Sequence, residues 1–548
     1  MAAPTRAIRT IDPPPEFRGV FRQDDLARAL YSEGAGIART LPLAVAVPAD
    51  RDDLAPLLRW ARREGHSLMP RGSGSGMAAG AVGPGVIVDL SRFDRIDAVD
   101  APRRRIRAGA GATRGAIDTV ARTHALRFPV DPSSGAFCTI GGMVATNAAG
   151  ARTLRYGATR KWVTGLRCVF DDGSAAWIRR GEAPPAGIPA LARLTTTLEL
   201  LRTTVHGGLR HSGLHKESSG YAIADALAPG GDLVDILVGS EGTLALFTDV
   251  ELALCPVAGA TATVLATFSS LEHASECAVS VREIGVSACE LLDRTFLEIA
   301  ASDGPTGIPA GVEAVLLIEA EGENGGDASM ITDRIAALCR AQRALETVTA
   351  ADADDERKLW ALRHAASPIL ARLAPRLRSM QFIEDGCVPP ANFPAYVQGV
   401  RAALARFETP GVIFGHAGDA HAHVNPLVDV TRRDWRERVR GILAEVCDLT
   451  AGLGGTLAGE HGDGRLRAPL LEQVWSAEAR AAFANVKDAA DPAGVLNLGC
   501  KIALSGDDPM GSLRHDPDAT PLDPRARTAL DSIERERAWN RFRLNLGS

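Results

Sequence analysis

The sequence lacks the features that mark several other classes of protein. No uncharged apolar stretch reaches the roughly 20 residues of a membrane span, and the N-terminus has no apolar signal-peptide core. The net charge of −6 leaves no basic surplus for nucleic acid, and only 5 of the 61 basic residues are lysine. The nine dispersed cysteines form no CxxC pair, which argues against a zinc ribbon or an iron–sulfur framework. We therefore expect a cytoplasmic protein with no nucleic-acid partner.

The composition is typical of a globular protein with two or three domains, at 548 residues with 46% hydrophobic and 23% charged residues. LAVAVPA at 43–49 predicts a buried strand, and DRDDLAPLLRWARREG at 50–65 predicts a helix that ends at a glycine. Residues 232–257 are interpreted as two strands around a turn. The composition changes near residue 258, where a second α+β region is expected.

Three glycine-rich segments are short of bulky side chains. PRGSGSGMAAG at 70–80 offers successive unhindered N–H groups to an anion, and alone it fits a phosphate loop or a flexible linker equally. FPVDPSSGAFCTIGGMVATNAAG at 128–150 and VGSEGTLALFT at 238–248 have the small residues that a close approach of ligand or backbone requires. A phosphate-containing ligand is the interpretation that all three share.

Together these segments resemble the FAD-binding domain of the vanillyl-alcohol-oxidase type, also called PCMH-type, in order and spacing. The resemblance implies an α+β fold with a cap domain, and it places residues 72–76 around the FAD pyrophosphate. No histidine lies within 70–80, so we expect FAD to be bound non-covalently. DPAGVLNLGCKI at 491–502 resembles the closing motif that returns to the flavin. The residues that the resemblance assigns to FAD are Pro70, Arg71, Gly72, Ser73, Gly74, Ser75, Gly76, Asp131, Ser134, Thr139, Gly141, Gly142, Asn147, Gly150, Glu241, Gly242, Thr243, Phe247 and Asn497.

A histidine cluster follows in VIFGHAGDAHAHVNPLVD at 412–429. If HAHVN is extended, His421, His423 and Asn425 share one face, with His416 on the preceding loop. Crowded imidazoles favour a borderline metal such as Zn²⁺, Mn²⁺ or Fe²⁺, although hydrogen-bonded core histidines would give the same pattern. Glu460, in GTLAGEHGDGRLRAP at 455–469, would complete a two-histidine, one-carboxylate set. A solvated surface loop is the alternative for that segment.

GHAGDAHAH and GEHGDGRLR resemble the metal motifs of the FAD-linked D-2-hydroxyacid dehydrogenases, the D-lactate, glycolate and D-2-hydroxyglutarate dehydrogenase group. The resemblance implies that His416, His423 and Glu460 bind a divalent metal, with Zn²⁺ ahead of Mn²⁺ and Fe²⁺, and that His461 is the catalytic base. His421 stands where Asn or Cys is usual and is an additional candidate ligand.

Substrate residues are implied in the same way. LWALRHAASPIL at 359–370 resembles the segment whose arginine binds the substrate carboxylate, which assigns Arg363 and, beside it, Ser367; an exposed helix charge is the alternative for Arg363. Asn425 is assigned to the substrate and stands where larger members have Arg. The acids of FIEDGCVPP at 382–390 are expected to be structural.

The expected division is an N-terminal arm and helix at 1–41, an FAD-binding domain at 42–257, a cap or substrate domain at 258–450, a segment at 451–505 that completes the active site, and a tail at 506–548. The motifs look closest to members with a C-terminal Fe–S module, which these 548 residues do not contain. Electrons are therefore expected to pass to an external acceptor: an electron-transfer flavoprotein, a quinone, a cytochrome or a separate Fe–S protein. Association with a membrane-bound acceptor would place the protein at the periphery of the inner membrane. A homodimer is also expected.

The predicted function is oxidation of a D-2-hydroxy acid to the 2-oxo acid, with hydride transfer to flavin N5. Two alternatives stay open. One is an FAD oxidase or dehydrogenase of another alcohol on the same fold, and the other is a non-catalytic flavin subunit of a redox complex.

Overall fold

The computed structural model describes residues 11–205, 207–302, 306–364 and 376–546. Two four-stranded sheets are built from residues 20–253, and an eight-stranded sheet is built from residues 260–429. The strands are Val20–Arg22, Ala44–Val47, Leu68–Arg71, Val86–Asp89, Arg105–Gly109, Leu126–Arg127, Val163–Val169, Ala175–Arg179, Leu246–Ala253, Cys255–Pro256, Ala260–Phe268, Ala288–Asp293, Ala314–Gly322, Glu346–Thr349, Leu377–Ser379, Gly386–Cys387, Gly411–Gly415 and His421–Asp429. The helices are Asp25–Leu30, Leu54–Glu64, Arg114–Arg122, Ile140–Thr146, Thr153–Tyr156, Pro189–Thr204, Ile223–Leu227, Leu233–Leu237, Leu271–Val281, Arg294–Ala301, Gly325–Ala341, Ala353–His364, Phe393–Arg406, Trp435–Gly452, Gly464–Arg467, Leu471–Val474, Ala477–Ala490 and Pro524–Glu536.

The first sheet carries the first glycine-rich segment. Strands Ala44–Val47, Val86–Asp89 and Leu68–Arg71 are parallel, and the loop at 72–76 begins where the last of them ends. The predicted strand at 43–49 is confirmed, and so is the helix that follows it, at Leu54–Glu64. Gly65 ends that helix at φ 72°, a conformation that glycine adopts without a steric penalty.

The second sheet is antiparallel, in the order Arg105–Gly109, Leu246–Ala253, Val163–Val169, Ala175–Arg179. The prediction of two strands around a turn at 232–257 is wrong in its first half, because Leu233–Leu237 is a helix. Asp232 caps this helix by accepting a hydrogen bond from Val234 N. The segment LVDIL has four apolar residues among five and is too short for its spacing to distinguish a buried helix from a strand.

The strand that carries the histidine cluster lies next to one edge of the eight-stranded sheet. Strand His421–Asp429 lies between Gly411–Gly415 and Leu377–Ser379, all antiparallel. The prediction that HAHVN is extended is confirmed. His423 lies opposite Phe414 in this pairing, and the strand is buried along nearly its whole length.

The C-terminal segment folds back over the N-terminal part. Leu513 forms a bridge with Ala38, and helix Pro524–Glu536 packs on helix Asp25–Leu30. Trp539 is buried against Phe137 of the second glycine-rich segment. Within the described ranges, no helix combines the length and the apolar character needed to cross a membrane.

Candidate active site

One cavity of about 990 Å³ is lined by all three glycine-rich segments, by the histidine cluster and by the C-terminal segment. The residues assigned to FAD that line it are Pro70, Arg71, Gly72, Ser73, Gly74, Ser75, Gly76, Ser134, Thr139, Gly141, Gly142, Glu241, Gly242 and Phe247. His416, His423, Asn425, Glu460, His461 and Arg363 line the same cavity. Segments separated by more than 300 residues in the chain thus share one space.

The first glycine-rich loop fits a pyrophosphate. A Cβ on Gly72 would lie 2.1 Å from Thr139 Oγ1, so the first two segments are in closer contact than any side chain allows. A Cβ on Gly76 would meet no atom within 4 Å, which leaves open space beside the backbone. Bare N–H groups next to open space are what an anion requires.

Five residues assigned to FAD lie behind the cavity and do not line it: Asp131, Asn147, Gly150, Thr243 and Asn497. Asp131 pairs with Arg152. Asn497 Nδ2 donates to the carbonyls of Gly80, at 3.1 Å, and Glu241, at 2.6 Å, and so joins two of the FAD segments. Direct contacts of these five residues with FAD remain a prediction.

Three side-chain atoms of the residues assigned to the metal form a nearly equilateral triangle. Glu460 Oε1 lies 3.2 Å from His416 Nε2 and 3.3 Å from His423 Nε2, and the two nitrogens are 3.4 Å apart. A metal bound at zinc-like distances requires neighbouring ligands about 3.0–3.4 Å apart in octahedral or tetrahedral geometry. All three side chains are buried. The donor set therefore fits a divalent metal.

The second nitrogen of each ring fixes its orientation. His416 Nδ1 donates to Glu290 Oε1 at 2.6 Å, and His423 Nδ1 donates to the Glu384 carbonyl at 3.0 Å. Both Nε2 atoms are therefore directed to the centre of the triangle, where a metal could replace the proton on a ring nitrogen. Burial raises the pKa of Glu460, but Lys216 and His416 outweigh it and hold that pKa well below its usual range.

His421 lies close to the triangle but is held differently. Its Nε2 is 2.9 Å from Asp385 Oδ1, and its Nδ1 is buried without a hydrogen-bond partner among the described residues. Burial lowers the pKa of His421 to about 4, so the ring is neutral at pH 7. Its candidacy as a further ligand remains a prediction.

The two ring nitrogens of His461 face different groups. Nε2 faces the cavity, and Nδ1 faces the carboxylate of Glu384. Nδ1 lies 2.9 and 2.8 Å from the two oxygens of Glu384, and Nε2 lies 3.6 Å from Glu460 Oε1. Burial opposes the charged form, but Glu384 and Asp385 outweigh it and raise the pKa of His461 to about 10. In the metal-free protein this ring is therefore charged at pH 7. The positive charge of a bound divalent metal would lower the pKa of His461, and the carboxylate-paired ring, with one nitrogen facing the cavity, would then have the arrangement of a general base.

Arg363 is buried at the same end of the cavity, which argues against an exposed helix charge. Its Nε donates to Glu290 Oε2 at 2.5 Å, and its guanidinium stacks over Phe414. Glu290 thus joins Arg363 to His416. Burial raises the pKa of Glu290, but the charges of His416 and Arg363 outweigh burial and lower that pKa. Asn425 also lines this end. Ser367 lies outside the described residues.

Sequence reasoning missed the charged residues around the site. It gave Glu384 and Asp385 a structural role, yet Glu384 contacts His461, while Asp385 contacts His421 and accepts from His461 N at 2.9 Å. Glu290 and Lys216 were not singled out at all. The sequence offered two signals. One is an acid within the largely apolar strand ACELLD, and the other is the scarcity of lysine, of which the chain has only five.

Two known protein families match different parts of the chain. Residues 42–179 match the FAD binding domain family, and residues 258–500 match the family described as FAD linked oxidases, C-terminal domain. The chain therefore has both domains of an FAD-linked oxidase, and it is similar to FAD-linked dehydrogenases of D-2-hydroxy acids. It is a flavoprotein and an oxidoreductase.

Curated relatives are similar over most of the chain. Glycolate oxidase subunit GlcD of Bacillus subtilis is 29% identical, covering 87% of this chain and 93% of that protein. D-lactate dehydrogenase of Archaeoglobus fulgidus is 28% identical, covering 83% and 90%. D-2-hydroxyglutarate dehydrogenase of Pseudomonas putida is 27% identical and covers 96% of this chain, which spans about half of that larger protein, 54%.

Among solved structures, p-cresol methylhydroxylase with substrate bound has the same fold. The TM-score is 0.66 at 13% sequence identity, and the match covers 89% of this chain and 95% of that one. The predicted PCMH-type α+β fold is therefore confirmed.

Proposed function

We propose that this flavoprotein oxidises a D-2-hydroxy acid of the lactate, glycolate or 2-hydroxyglutarate type to the 2-oxo acid. The observation that carries the proposal is the triangle of His416, His423 and Glu460 in the cavity that the FAD segments line. Relatives named as glycolate, D-lactate and D-2-hydroxyglutarate enzymes support the substrate class.

Each residue has a defined task in this proposal. The glycine-rich segments would hold FAD, which would supply the capacity to accept a hydride, and His416, His423 and Glu460 would hold a divalent metal, which would supply Lewis acidity toward substrate oxygens. Arg363 binds and orients the substrate carboxylate. His461 Nε2 accepts the hydroxyl proton, and Glu384 holds the ring through Nδ1 and stabilises the imidazolium that forms.

The finer assignments belong to the same proposal. Zn²⁺ is our first choice of metal, since two imidazoles and a carboxylate are ligands that it shares with Mn²⁺ and Fe²⁺. FAD is bound non-covalently. The acceptor of the electrons is an electron-transfer flavoprotein, a quinone, a cytochrome or a separate Fe–S protein, and the protein reaches the membrane through that acceptor. A homodimer stays a prediction.

A steady-state assay with an artificial dye acceptor tests the proposal. D-lactate, D-2-hydroxyglutarate and glycolate are each supplied with L-lactate as the matched stereochemical control, and the product is trapped as the hydrazone of a 2-oxo acid. Dye reduction with one of the first three acids and with no L-lactate turnover supports it. Turnover of a simple alcohol without a carboxylate would favour the alternative oxidase on the same fold.

A further inference from the structure

Lys216 is a buried cation that contacts both a metal-ligating carboxylate and an FAD segment. Its side chain has no exposed surface, and its Nζ lies 3.0 Å from Glu460 Oε2 and 3.0 Å from the carbonyl oxygen of Gly150. Asp419 Oδ2 is a third oxygen at 3.5 Å. Burying an ammonium costs free energy unless its partners are well placed, so this contact set demands an explanation.

The two oxygens of Glu460 have different surroundings. Oε1 faces His416 and His423 at the triangle, while Oε2 is occupied by Lys216. Rotation of the carboxylate to present both oxygens to a metal would break the charge-assisted hydrogen bond to Lys216 and leave the ammonium short of an acceptor. Glu460 is therefore restricted to one ligand oxygen.

The other end of this contact is rigid. The Gly150 carbonyl also accepts from Thr153 Oγ1 at 2.7 Å, and a Cβ on Gly150 would lie 2.5 Å from the backbone of Asp131. Gly150 ends the segment whose residues Ala148 and Ala149 line the cavity. Lys216 thus fixes the carboxylate of Glu460 relative to the wall of the FAD cavity.

We propose that Lys216 is a positioning residue that keeps Glu460 monodentate and so preserves an open coordination position for the substrate. This inference rests on the metal site of the proposed function. A catalytic metal site differs from a structural one in keeping such a position open. The ammonium also repels a divalent cation. Lys216 therefore lowers the affinity for the metal while it keeps a coordination position open for the substrate.

The test uses Lys216→Met in the FAD-loaded protein, with Lys487→Met as the matched control. Lys487 is also buried and bonds one carboxylate, Asp491, and two carbonyls, but none of the three triangle residues. The readouts are the visible spectrum of the Co²⁺-loaded protein, which reports coordination geometry, the Zn²⁺ affinity in competition with a chromogenic chelator, and the binding of oxalate.

In Lys216→Met we expect a Co²⁺ spectrum of higher coordination number, Zn²⁺ binding at least as tight as in the unchanged protein, and oxalate binding weaker by about tenfold. Lys487→Met should match the unchanged protein in all three. Weaker Zn²⁺ binding with an unchanged Co²⁺ spectrum would overturn the inference, because a merely structural lysine predicts that result. If Lys216→Met does not retain FAD, Lys216→Gln is measured with the same expectations. Failure of the unchanged protein to bind a divalent metal would instead overturn the proposed function and this inference with it.

Discussion

Glu384 holds His461 through the ring's Nδ1, which lies 2.8 and 2.9 Å from its two carboxylate oxygens. Arg467 pairs with one of these oxygens from the other side, so the carboxylate is fixed before any substrate arrives. This relationship leaves Nε2 of His461 as the ring nitrogen at which a proton can be lost or gained. It turns two residues separated by 77 positions into one functional unit.

Removal of the base should abolish chemistry and leave the cofactor in place. We expect His461→Asn to lower the rate of flavin reduction by about 10²–10⁴-fold, the range typical of a lost general base. Glu384→Gln should lower it as well, because an amide no longer stabilises the imidazolium. Stopped-flow flavin absorbance measures both rates. Equal FAD content in the variants is the control, and an unchanged rate in His461→Asn would contradict the assignment.

The pKa of His461 predicts how stability depends on pH in the metal-free protein. Its folded-state pKa is raised to about 10 from 6.5, so the stabilisation is fully present below pH 6.5 and is lost as the pH rises through 10. Thermal unfolding of the metal-free protein should show the midpoint falling between these values more steeply than in His461→Gln. Parallel curves for the two proteins would show that His461 does not carry the raised pKa.

Arg363 should act mainly on substrate binding. Arg363→Lys keeps the charge but loses the planar guanidinium that pairs with Glu290, so we expect KM to rise about tenfold or more with a smaller fall in kcat. Steady-state kinetics with the preferred acid measures the split. A fall in kcat alone, at constant KM, would place the main role of Arg363 in the chemical step.

The metal ligands should act together. Loss of one imidazole from a three-ligand site removes most of its affinity, so His423→Ala should retain less than about one tenth of the bound metal. Metal analysis after dialysis measures this. His421→Ala is the informative companion, since full metal retention there would show that His421 is not a ligand, and loss equal to that of His423→Ala would make it one.

Gly72 should be intolerant of substitution. A Cβ at this position would lie 2.1 Å from Thr139 Oγ1, so Gly72→Ala must separate the first two FAD segments. We expect the protein to be purified with little FAD but to keep its fold. Gly452→Ala is the matched control and should retain FAD, because a Cβ there meets no protein atom within 4 Å and Gly452 does not line the cavity. Tight FAD binding by Gly72→Ala would contradict the account.

The sequence singled out the three residues of the triangle but not the charged residues around them, for a physical reason. His416, His423, Glu460 and His461 lie in short motifs where residue type and spacing already indicate chemistry. The FAD-loop glycines, and the strand that carries His423, were predictable in the same way. Fold class followed from the order of these motifs.

The surrounding charges depend on tertiary contacts and have no local pattern. Glu290 meets His416 across 126 positions, and Lys216 meets Glu460 across 244. A buried acid in an apolar strand indicates that it has a polar or charged partner, but the sequence does not identify which residue that partner is. The helix at Leu233–Leu237 was missed because a segment of five residues is too short to show a distinctive period.

The most direct test of the central claim is anaerobic mixing of the FAD-loaded protein with D-lactate, L-lactate, glycolate and D-2-hydroxyglutarate while the visible flavin band is followed. The account predicts bleaching by one of these acids but not by L-lactate. Bleaching should be lost after chelation and restored by Zn²⁺ or Mn²⁺, and it should be absent in Glu460→Gln. A flavin that no 2-hydroxy acid bleaches, or one that bleaches equally after the metal is removed, would contradict the account.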